Sequence, residues 1–269
     1  MILSTLFTAI AFPEIDPVIF QIGPFAIRWY ALAYVAGLII GWRLMMRLAG
    51  SEGSNISAKQ VDDFLIWATL GVILGGRLGY VLFYKPDYYF SHPAEIFMVW
   101  QGGMSFHGGF LGVVLATLLY CRFQKIVILE FGDLLATVVP VGLFFGRIAN
   151  FINGELYGRK TDVPWGMIFP GGDDLPRHPS QLYEALLEGA MLFAILLIFR
   201  KTRYAEKPGF IMGLFFAGYA VARSIVEFFR EPDAYLGFLA GGLTMGQLLS
   251  LPMLIVGLYF MFRPSRKAA

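Results

Sequence analysis

The sequence is poor in charge, in cysteine and in histidine, and each shortage excludes a class of function. Charged residues make up 15% of the 269 positions, against about 25% in soluble domains. The net charge of +2 comes without a basic patch interleaved with aromatic residues, so no nucleic-acid partner is expected. The single cysteine, Cys121, excludes an internal disulfide and a cysteine-cluster metal site. Three histidines make a multi-histidine metal site improbable.

Hydrophobic residues are abundant instead, and they lie in long blocks. They account for 57% of the chain. A helix needs about 20 mostly apolar residues to cross a bilayer. Seven blocks qualify, at about 29–48, 64–83, 104–121, 131–152, 182–199, 210–229 and 245–262. We therefore predict an all-α membrane protein, a polytopic bundle of about seven transmembrane helices with periplasmic loops, in a single domain spanning 1–269.

Two further features concern the N-terminus and the direction of the chain. Met1–Phe12 is apolar but lacks the basic residues with which a signal peptide begins. We therefore predict an N-terminal interfacial helix and not a cleavable signal peptide. With the N-terminus outside, twelve lysines and arginines fall on the inner side, in loops or at the inner end of the first span, and six fall on the outer side. The positive-inside rule favours this orientation, which places the C-terminus in the cytoplasm.

Glycines recur at four-residue spacing in three of the predicted spans. The repeats are Gly37/Gly41, Gly71/Gly75/Gly79 and Gly142/Gly146. Small residues at this spacing let two helix backbones approach closely in lipid. We therefore predict close helix contacts along these faces.

Away from the inner end of the first span, three arginines, Arg77, Arg147 and Arg223, lie inside predicted spans. A charged side chain there costs at least ~2.5–3.5 kcal/mol on insertion scales, so it needs a reason. One alternative is structural: the arginines pair with acids or extend to the lipid headgroups. Glu227 follows Arg223 by one helical turn, so these two side chains share a helix face.

The predicted topology brings several polar residues to the outer membrane face. They are Tyr30 and His107 at the start of spans, Arg147, Asn150, Arg223 and Glu227 in the outer third of spans, and Glu155 just beyond one. We infer a single site that is open to the outer leaflet and to water. Two arginines suit a phosphate, because a guanidinium group binds phosphate oxygens bidentately.

The remaining chemistry of the predicted site depends on one histidine. His107 is a candidate general base, because the reference pKa of histidine is about 6.5; a hydrogen-bonded structural histidine is the alternative. Gly108 and Gly112 after it either leave room for a substrate or pack against another helix. No nucleophile stands out in the chain, so we expect a substrate to supply it.

Several long segments resemble bacterial prolipoprotein diacylglyceryl transferases. They are Gly146–Gly158 (GRIANFINGELYG), Met104–Gly112 (MSFHGGFLG), Arg177–Glu184 (RHPSQLYE) and Arg223–Asp233 (RSIVEFFREPD), together with Asp16–Tyr30 and Met245–Ser250. The resemblance covers nearly the whole chain, in order.

This resemblance implies an enzyme at the periplasmic face of the bacterial inner membrane, embedded among membrane lipids. The implied donor is phosphatidylglycerol, and the acceptor is the lipobox cysteine of a preprolipoprotein that still carries its signal peptide. No cofactor and no metal is expected. The implied catalytic residues are His107, Arg223, Tyr30 and Glu227. The implied substrate-binding residues are Arg147, Asn150, Glu155 and Gly158, with Tyr219 as a weaker member of the set.

We assign hypothetical roles within this set. Arg147, with Asn150, binds the donor phosphate. Arg223 stabilises the leaving phosphate and is held by Glu227 or by Glu155. His107 is the leading candidate for the general base, and Tyr30 orients either His107 or the headgroup.

A membrane lipid transporter or flippase is the main alternative function. Buried arginines and seven spans are compatible with transport. However, the polar residues cluster at one face, and no pair of broken helices occupies symmetric positions, as inverted repeats tend to show. A structural scaffold does not need clustered charges in lipid, and an intramembrane protease would need a Ser–His pair or paired aspartates inside its spans.

Overall fold

The computed structural model describes residues 10–13, 15–23, 25–50, 54–232, 237 and 239–264. The helices in these ranges are α1 (Trp29–Ala49), α2 (Ala58–Phe83), α3 (Pro86–Ser91), α4 (Phe106–Gln124), α5 (Ile128–Ile152), α6 (Ser180–Arg200), α7 (Phe210–Val226) and α8 (Met245–Phe262). The strands are β1 (Ile10–Ala11), β2 (Val18–Ile22), β3 (Phe25–Arg28) and β4 (Met167–Ile168). Short 3₁₀ turns lie at Pro93–Phe97, Val99–Gln101, Arg203–Glu206 and Ala240–Gly242.

Each predicted span corresponds to a helix. Within the described ranges, six helices are long and apolar enough to cross a membrane, and the apolar α7 is slightly shorter. The prediction of an all-α, multi-pass membrane protein is therefore confirmed, with seven as an approximate count of spans.

Two helix boundaries differ from the hydrophobic blocks because polar residues set them. α2 begins at Ala58, well before the apolar block, because Ser57 and Gln60 form a capping box: the Ser57 hydroxyl accepts from the Gln60 N–H, and the Gln60 side chain accepts from the Ser57 N–H. α7 ends at Val226 instead of residue 229, and Glu227 is its C-cap.

The described residues form two compact units, one within Trp42–Leu134 and one within Met1–Gly41 and Leu135–Ala269. We call them the inserted unit and the main unit. The boundaries between them fall inside α1 and α5, so each of these helices contributes to both units. The single domain inferred from the sequence stays a prediction.

α2 and α4 of the inserted unit meet through their glycines. A Cβ atom on Gly71 would lie 2.7 Å from the Gly112 carbonyl oxygen, and one on Gly79 would lie 2.7 Å from the Gly108 Cα. Gly75 faces the backbone of the same two α4 residues. The predicted glycine ladder is therefore confirmed, and Gly108 and Gly112 serve helix packing.

Arg77, in the same unit, binds backbone carbonyls. Its Nε donates to Ile96 at 2.7 Å, its Nη1 to Gly102 at 2.6 Å and its Nη2 to Glu95 at 2.5 Å. The guanidinium carbon also lies 4.9 Å from the Tyr89 ring centroid. These contacts compensate the buried charge and hold the loop that leads into α4, so Arg77 is a structural residue.

The core of the main unit lies between α6, α7 and α8. Leu192 and Leu196 of α6 pack with Ile211 of α7. α7 and α8 approach closely, because a Cβ atom on Gly213 would lie 2.7 Å from the Gly257 carbonyl oxygen. This packing fixes the helix ends that carry the charged residues described below.

The two remaining glycine pairs give a mixed result. A Cβ atom on Gly37 would lie 3.3 Å from the Gly142 Cα, so α1 and α5 are in close contact there, as predicted. A Cβ atom on Gly146 would meet no heavy atom within 4 Å in the described part of the chain. The predicted close contact is therefore wrong at Gly146, where the space beside the helix is open.

The described start of the chain is extended. Ile10–Ala11 pairs in parallel with Met167–Ile168, and the Ile10 N–H donates to the Gly166 carbonyl at 2.9 Å. The interfacial helix predicted for Met1–Phe12 is therefore wrong at these two residues, because a loop supplies a strand partner for them. Met1–Ala9 lies outside the described residues.

Candidate active site

Three arginines and three glutamates meet inside the main unit, where the C-terminal parts of α5 and α7 contact the N-terminal half of α6. The members of this arginine–glutamate cluster are Arg147, Arg223, Arg230, Glu184, Glu188 and Glu227. The opposite formal charges balance, which lowers the cost of burying each charged group.

Arg147, near the end of α5, contacts two carboxylates of α6 through one nitrogen. Its Nη2 lies 3.2 Å from Glu184 Oε1 and 3.6 Å from Glu188 Oε2. Both glutamate side chains are 0% exposed, whereas 19% of the Arg147 side chain is accessible. The carboxylates therefore hold Arg147 from its buried side, and its Nε and Nη1 make no carboxylate contact among the described residues.

Arg223, in the last turn of α7, contacts three carboxylates. Its Nη1 donates to Glu184 Oε1 and lies 3.5 Å from Glu188 Oε1, and its Nη2 lies 2.6 Å from Glu227 Oε1. Of the two partners expected from the sequence, Glu227 is confirmed. Glu155 makes no ion pair with Arg223 within the described ranges, and two asparagines donate to its carboxylate.

Glu227 is itself held by several groups. Arg230 Nη1 donates to its Oε1 at 3.3 Å, and Arg159 Nη2 donates to its backbone carbonyl at 2.9 Å. Gly246 of α8 leaves room for the carboxylate, since a Cβ atom there would lie 2.6 Å from Glu227 Cδ. A glycine is therefore required beside this carboxylate.

Glu184 and Glu188 are the residues that sequence reasoning missed. They lie four residues apart, and the π-helical stretch Ala185–Met191 of α6 begins directly after Glu184. Such stretches often occur at functional sites. The signal was present in the sequence, because both glutamates fall inside the predicted span 182–199. A glutamate inside a span needs an oppositely charged partner as much as an arginine does.

Asn150 and Glu155 are joined directly. The Asn150 side-chain amide donates to Glu155 Oε1 at 2.9 Å, and Asn153 donates to the same oxygen at 3.2 Å. The buried Gln181 of α6 donates to the Glu155 backbone carbonyl at 2.6 Å. These bonds tie the chain leaving α5 to the start of α6, one turn beyond Arg147.

Gly158 lies where its backbone packs closely against the backbone at His178 and Phe229. Its N–H donates to the His178 carbonyl at 2.8 Å, and a Cβ atom on it would press against the Phe229 carbonyl oxygen. Its neighbour Arg159 donates its N–H to Phe229 at 2.8 Å. Gly158 thus fixes a loop beside the end of α7, and its contact with a substrate stays a prediction.

Tyr30 lies at the start of α1 and is half-exposed. Its hydroxyl is 3.2 Å from the Tyr34 hydroxyl, and the two ring centroids are 4.9 Å apart. Within the described ranges, no hydrogen bond or ion pair joins Tyr30 to the arginine–glutamate cluster. Tyr219 lies one turn before Arg223 on α7. The substrate roles of both tyrosines stay predictions.

His107 differs from the other candidates, because it belongs to the inserted unit. It is the second residue of α4, whose N-cap Ser105 accepts the Gly108 N–H at 3.2 Å. The His107 side chain is exposed, and its ring centroid lies 5.7 Å from that of Phe106. Its role as general base, and its orientation by Tyr30, stay predictions.

An exposed ion network stabilises the loop between α5 and α6. Asp173 accepts from Arg177 Nε at 3.1 Å and contacts Lys160 Nζ at 2.6 Å. Arg177 also donates to Glu231 at 3.0 Å. The hydrogen bonds from Arg177 and Lys160 hold the pKa of the Asp173 carboxyl well below its usual range. Asp173 in turn raises the pKa of Arg177.

The fold and the site define a multi-pass helical membrane protein that keeps arginines, balanced by glutamates, inside one of its helical units. Comparison with known proteins identifies the class further. Residues 17–263 match the family described as prolipoprotein diacylglyceryl transferase. The chain therefore belongs to this family and is a transferase.

Three relatives show how much of the chain is shared, and each is named phosphatidylglycerol–prolipoprotein diacylglyceryl transferase. The Paramagnetospirillum magneticum protein is 58% identical over 263 residues, which cover 97% of this chain and 98% of the relative. The Rhodospirillum rubrum protein is 59% identical, covering 93% and 92%. The Azospirillum brasilense protein is 56% identical, covering 97% and 98%. The resemblance seen in the sequence is confirmed, and a flippase is not favoured.

Proposed function

We propose that this chain transfers the sn-1,2-diacylglyceryl group of phosphatidylglycerol to the sulfhydryl of the lipobox cysteine of a preprolipoprotein. A thioether forms and glycerol 1-phosphate is released, as the first step of lipoprotein maturation. Family membership and the names of the relatives support this reaction. The observation that carries it is the arginine–glutamate cluster, which offers guanidinium groups to a phosphate.

The reaction increases the negative charge of the phosphate. The thiolate is the nucleophilic form of a cysteine, and the ordinary thiol pKa is about 8.5. The thiolate attacks the carbon of the diacylated glycerol that is bonded to a phosphate oxygen. The carbon–oxygen bond breaks with its electron pair going to oxygen, and the thiol proton is released. Groups that bind this developing charge more strongly in the transition state accelerate the reaction.

Arg147 and Arg223 supply this stabilisation. Arg147 binds the donor phosphate through the nitrogens that its carboxylate contacts leave available, and Arg223 stabilises the leaving phosphate. The accessible fraction of both side chains, 19% and 11%, supports a direct contact with substrate. Glu227, which contacts Arg223 at 2.6 Å, orients that guanidinium group.

The other candidates have supporting roles. Asn150, paired with Glu155, adds a neutral hydrogen bond to the headgroup, and Tyr30 orients the headgroup or the base. Gly158 lets the loop approach the substrate closely. His107 accepts the thiol proton; survival of activity in His107→Ala would remove this role alone.

The enzyme works at the bacterial inner membrane. Its N-terminus and active site face the periplasm, and its C-terminus is cytoplasmic. The excess of lysine and arginine on the side assigned to the cytoplasm, twelve against six, supports this orientation.

A thiol-modification assay tests the proposal. Purified protein is incubated with phosphatidylglycerol and a lipobox peptide, and mass spectrometry detects a diacylglyceryl adduct on the peptide cysteine. Arg147→Ala and Arg223→Ala should lose the adduct, whereas Arg122→Ala, which removes an exposed charge at the end of α4, should keep it. Folded wild-type protein that forms no adduct would overturn the proposed reaction. Equal activity of all three variants would overturn the arginine roles.

A further inference from the structure

Glu184 and Glu188 lie behind the two arginines that are proposed to bind phosphate. Both carboxylate side chains are 0% exposed, whereas Arg147 and Arg223 are 19% and 11% exposed. The arginines therefore stand between the carboxylates and the accessible side of the cluster. A substrate phosphate that approaches from that side meets the guanidinium groups first.

The two carboxylates contact the arginines differently. Glu184 uses a single oxygen, Oε1, for both Arg147 and Arg223. Glu188 uses one oxygen for each: Oε1 lies 3.5 Å from Arg223 Nη1, and Oε2 lies 3.6 Å from Arg147 Nη2. A single carboxylate thus spans the two guanidinium groups.

We propose that Glu188 is a positioning residue, whose bridging carboxylate sets the separation and orientation of Arg147 and Arg223 for one phosphate group. This inference rests on the proposed function, since the phosphate is that of the lipid donor and of the leaving group. Glu188 acts through the arginines and does not touch the substrate.

The contacts of Glu188 with the arginines are long. Its two buried oxygens lie 3.5 Å from Arg223 Nη1 and 3.6 Å from Arg147 Nη2. At these distances the negative charge of the carboxylate provides the attraction to both arginines. A glutamine of the same shape removes the attraction and turns amide N–H groups toward a guanidinium group. The arginines then lose one of the two carboxylates that they share and keep Glu184, while the packing of α6 is preserved.

The backbone around Glu188 is built to keep it in place. It lies in the π-helical stretch Ala185–Met191. The next residue, Gly189, packs directly on α5, since a Cβ atom there would lie 2.7 Å from Phe144 Cβ. Phe144 lies one turn before Arg147, so the carboxylate and its arginine partner are fixed at the same contact between helices.

The expected effect is on turnover more than on donor binding. The phosphate gains charge as the carbon–oxygen bond breaks, so arginine placement is most important in the transition state. Misplacement of a binding group by about 1 Å costs about 100-fold in rate. We expect Glu188→Gln to lower kcat by about 10- to 100-fold, with a smaller change in the KM for phosphatidylglycerol.

The first experiment measures kcat and KM of full-length protein in lipid nanodiscs with phosphatidylglycerol and a lipobox peptide. Glu188→Asp keeps the charge and should recover part of the kcat lost in Glu188→Gln. Glu206→Gln makes the same chemical change on the exposed surface and should behave as wild type. Wild-type kcat in Glu188→Gln would overturn the inference, as would equal losses in Glu188→Asp and Glu188→Gln. Wild-type protein without any adduct would instead overturn the proposed function.

A double variant covers the case in which Glu188→Gln does not fold. Arg147→Gln with Glu188→Gln removes both members of an ion pair, so no uncompensated charge stays buried. Because Glu188 also contacts Arg223, Glu188→Gln should still lower kcat in the Arg147→Gln background, but by a smaller factor than in the wild type, since coupled residues are not additive. An equal fold-loss of kcat in both backgrounds would show a role independent of Arg147 and would overturn the inference.

Discussion

Replacing Arg147 with lysine keeps the charge of the cluster and removes the guanidinium fork. Nη2 alone contacts Glu184 and Glu188, at 3.2 and 3.6 Å, so a lysine amine can replace this contact. The bonds of Nε and Nη1 to a phosphate are lost. A hydrogen bond to a charged group contributes about 1.5–3 kcal/mol, and about 1.4 kcal/mol is a factor of ten. Two such bonds amount to about 3–6 kcal/mol, so we expect Arg147→Lys to lower kcat/KM for phosphatidylglycerol by about 100- to 10,000-fold.

Arg223→Lys is the informative comparison. Arg223 uses Nη1 for Glu184 and Glu188 and Nη2 for Glu227, so a lysine there also loses an internal contact. Initial rates and thermal unfolding midpoints, measured on the same detergent-solubilised samples, separate the two effects. Arg223→Lys should lose activity and stability, whereas Arg147→Lys should lose mainly activity. An Arg147→Lys rate equal to that of wild type would refute bidentate phosphate binding.

Further predictions concern stability, and thermal unfolding checks each of them. Gly158→Ala should lower the midpoint, because a Cβ atom there would lie 2.8 Å from a neighbouring side chain and overpacking costs about 1–3 kcal/mol; an unchanged midpoint would contradict this. Gly75→Ala should also lower the midpoint, since its Cβ atom would lie 2.8 Å from the Gly112 Cα. The matched Gly146→Ala, whose Cβ atom would meet no heavy atom within 4 Å, should leave the midpoint unchanged. Equal decreases in the two variants would contradict the argument. Asp173→Asn should lower the midpoint at neutral pH, because the folded pKa of this carboxyl lies below its unfolded value. That contribution is present above the unfolded pKa of about 3.9 and is lost as pH falls toward the folded value, so the difference should shrink below about pH 4; a constant difference would refute it.

The fold was predictable because the bilayer imposes a length on each apolar block. The helix boundaries that differed, at Ala58 and Val226, depend on capping residues that an apolar count does not weigh. The strand at Ile10–Ala11 was not predictable, because its partner Met167–Ile168 is distant in the sequence. Local apolar character does not report such a tertiary pairing.

Part of the cluster was predictable from depth in the membrane. Counting residues along alternating spans brings Arg147 and Arg223 to one face, and helical spacing adds Glu227. A search of the predicted spans for acidic residues, as well as for arginines, would have found the counter-charges Glu184 and Glu188. Which carboxylate contacts which arginine depends on the π-helical register of α6 and on three-dimensional packing, which a single sequence does not contain.

The most direct test of the central claim follows both products of one reaction. Phosphatidylglycerol labelled with carbon-13 in its diacylated glycerol is incubated with the purified protein and a lipobox peptide. The account predicts a labelled diacylglyceryl thioether on the peptide cysteine and an equal amount of unlabelled glycerol 1-phosphate. An unmodified cysteine in the presence of folded protein and both substrates would contradict it.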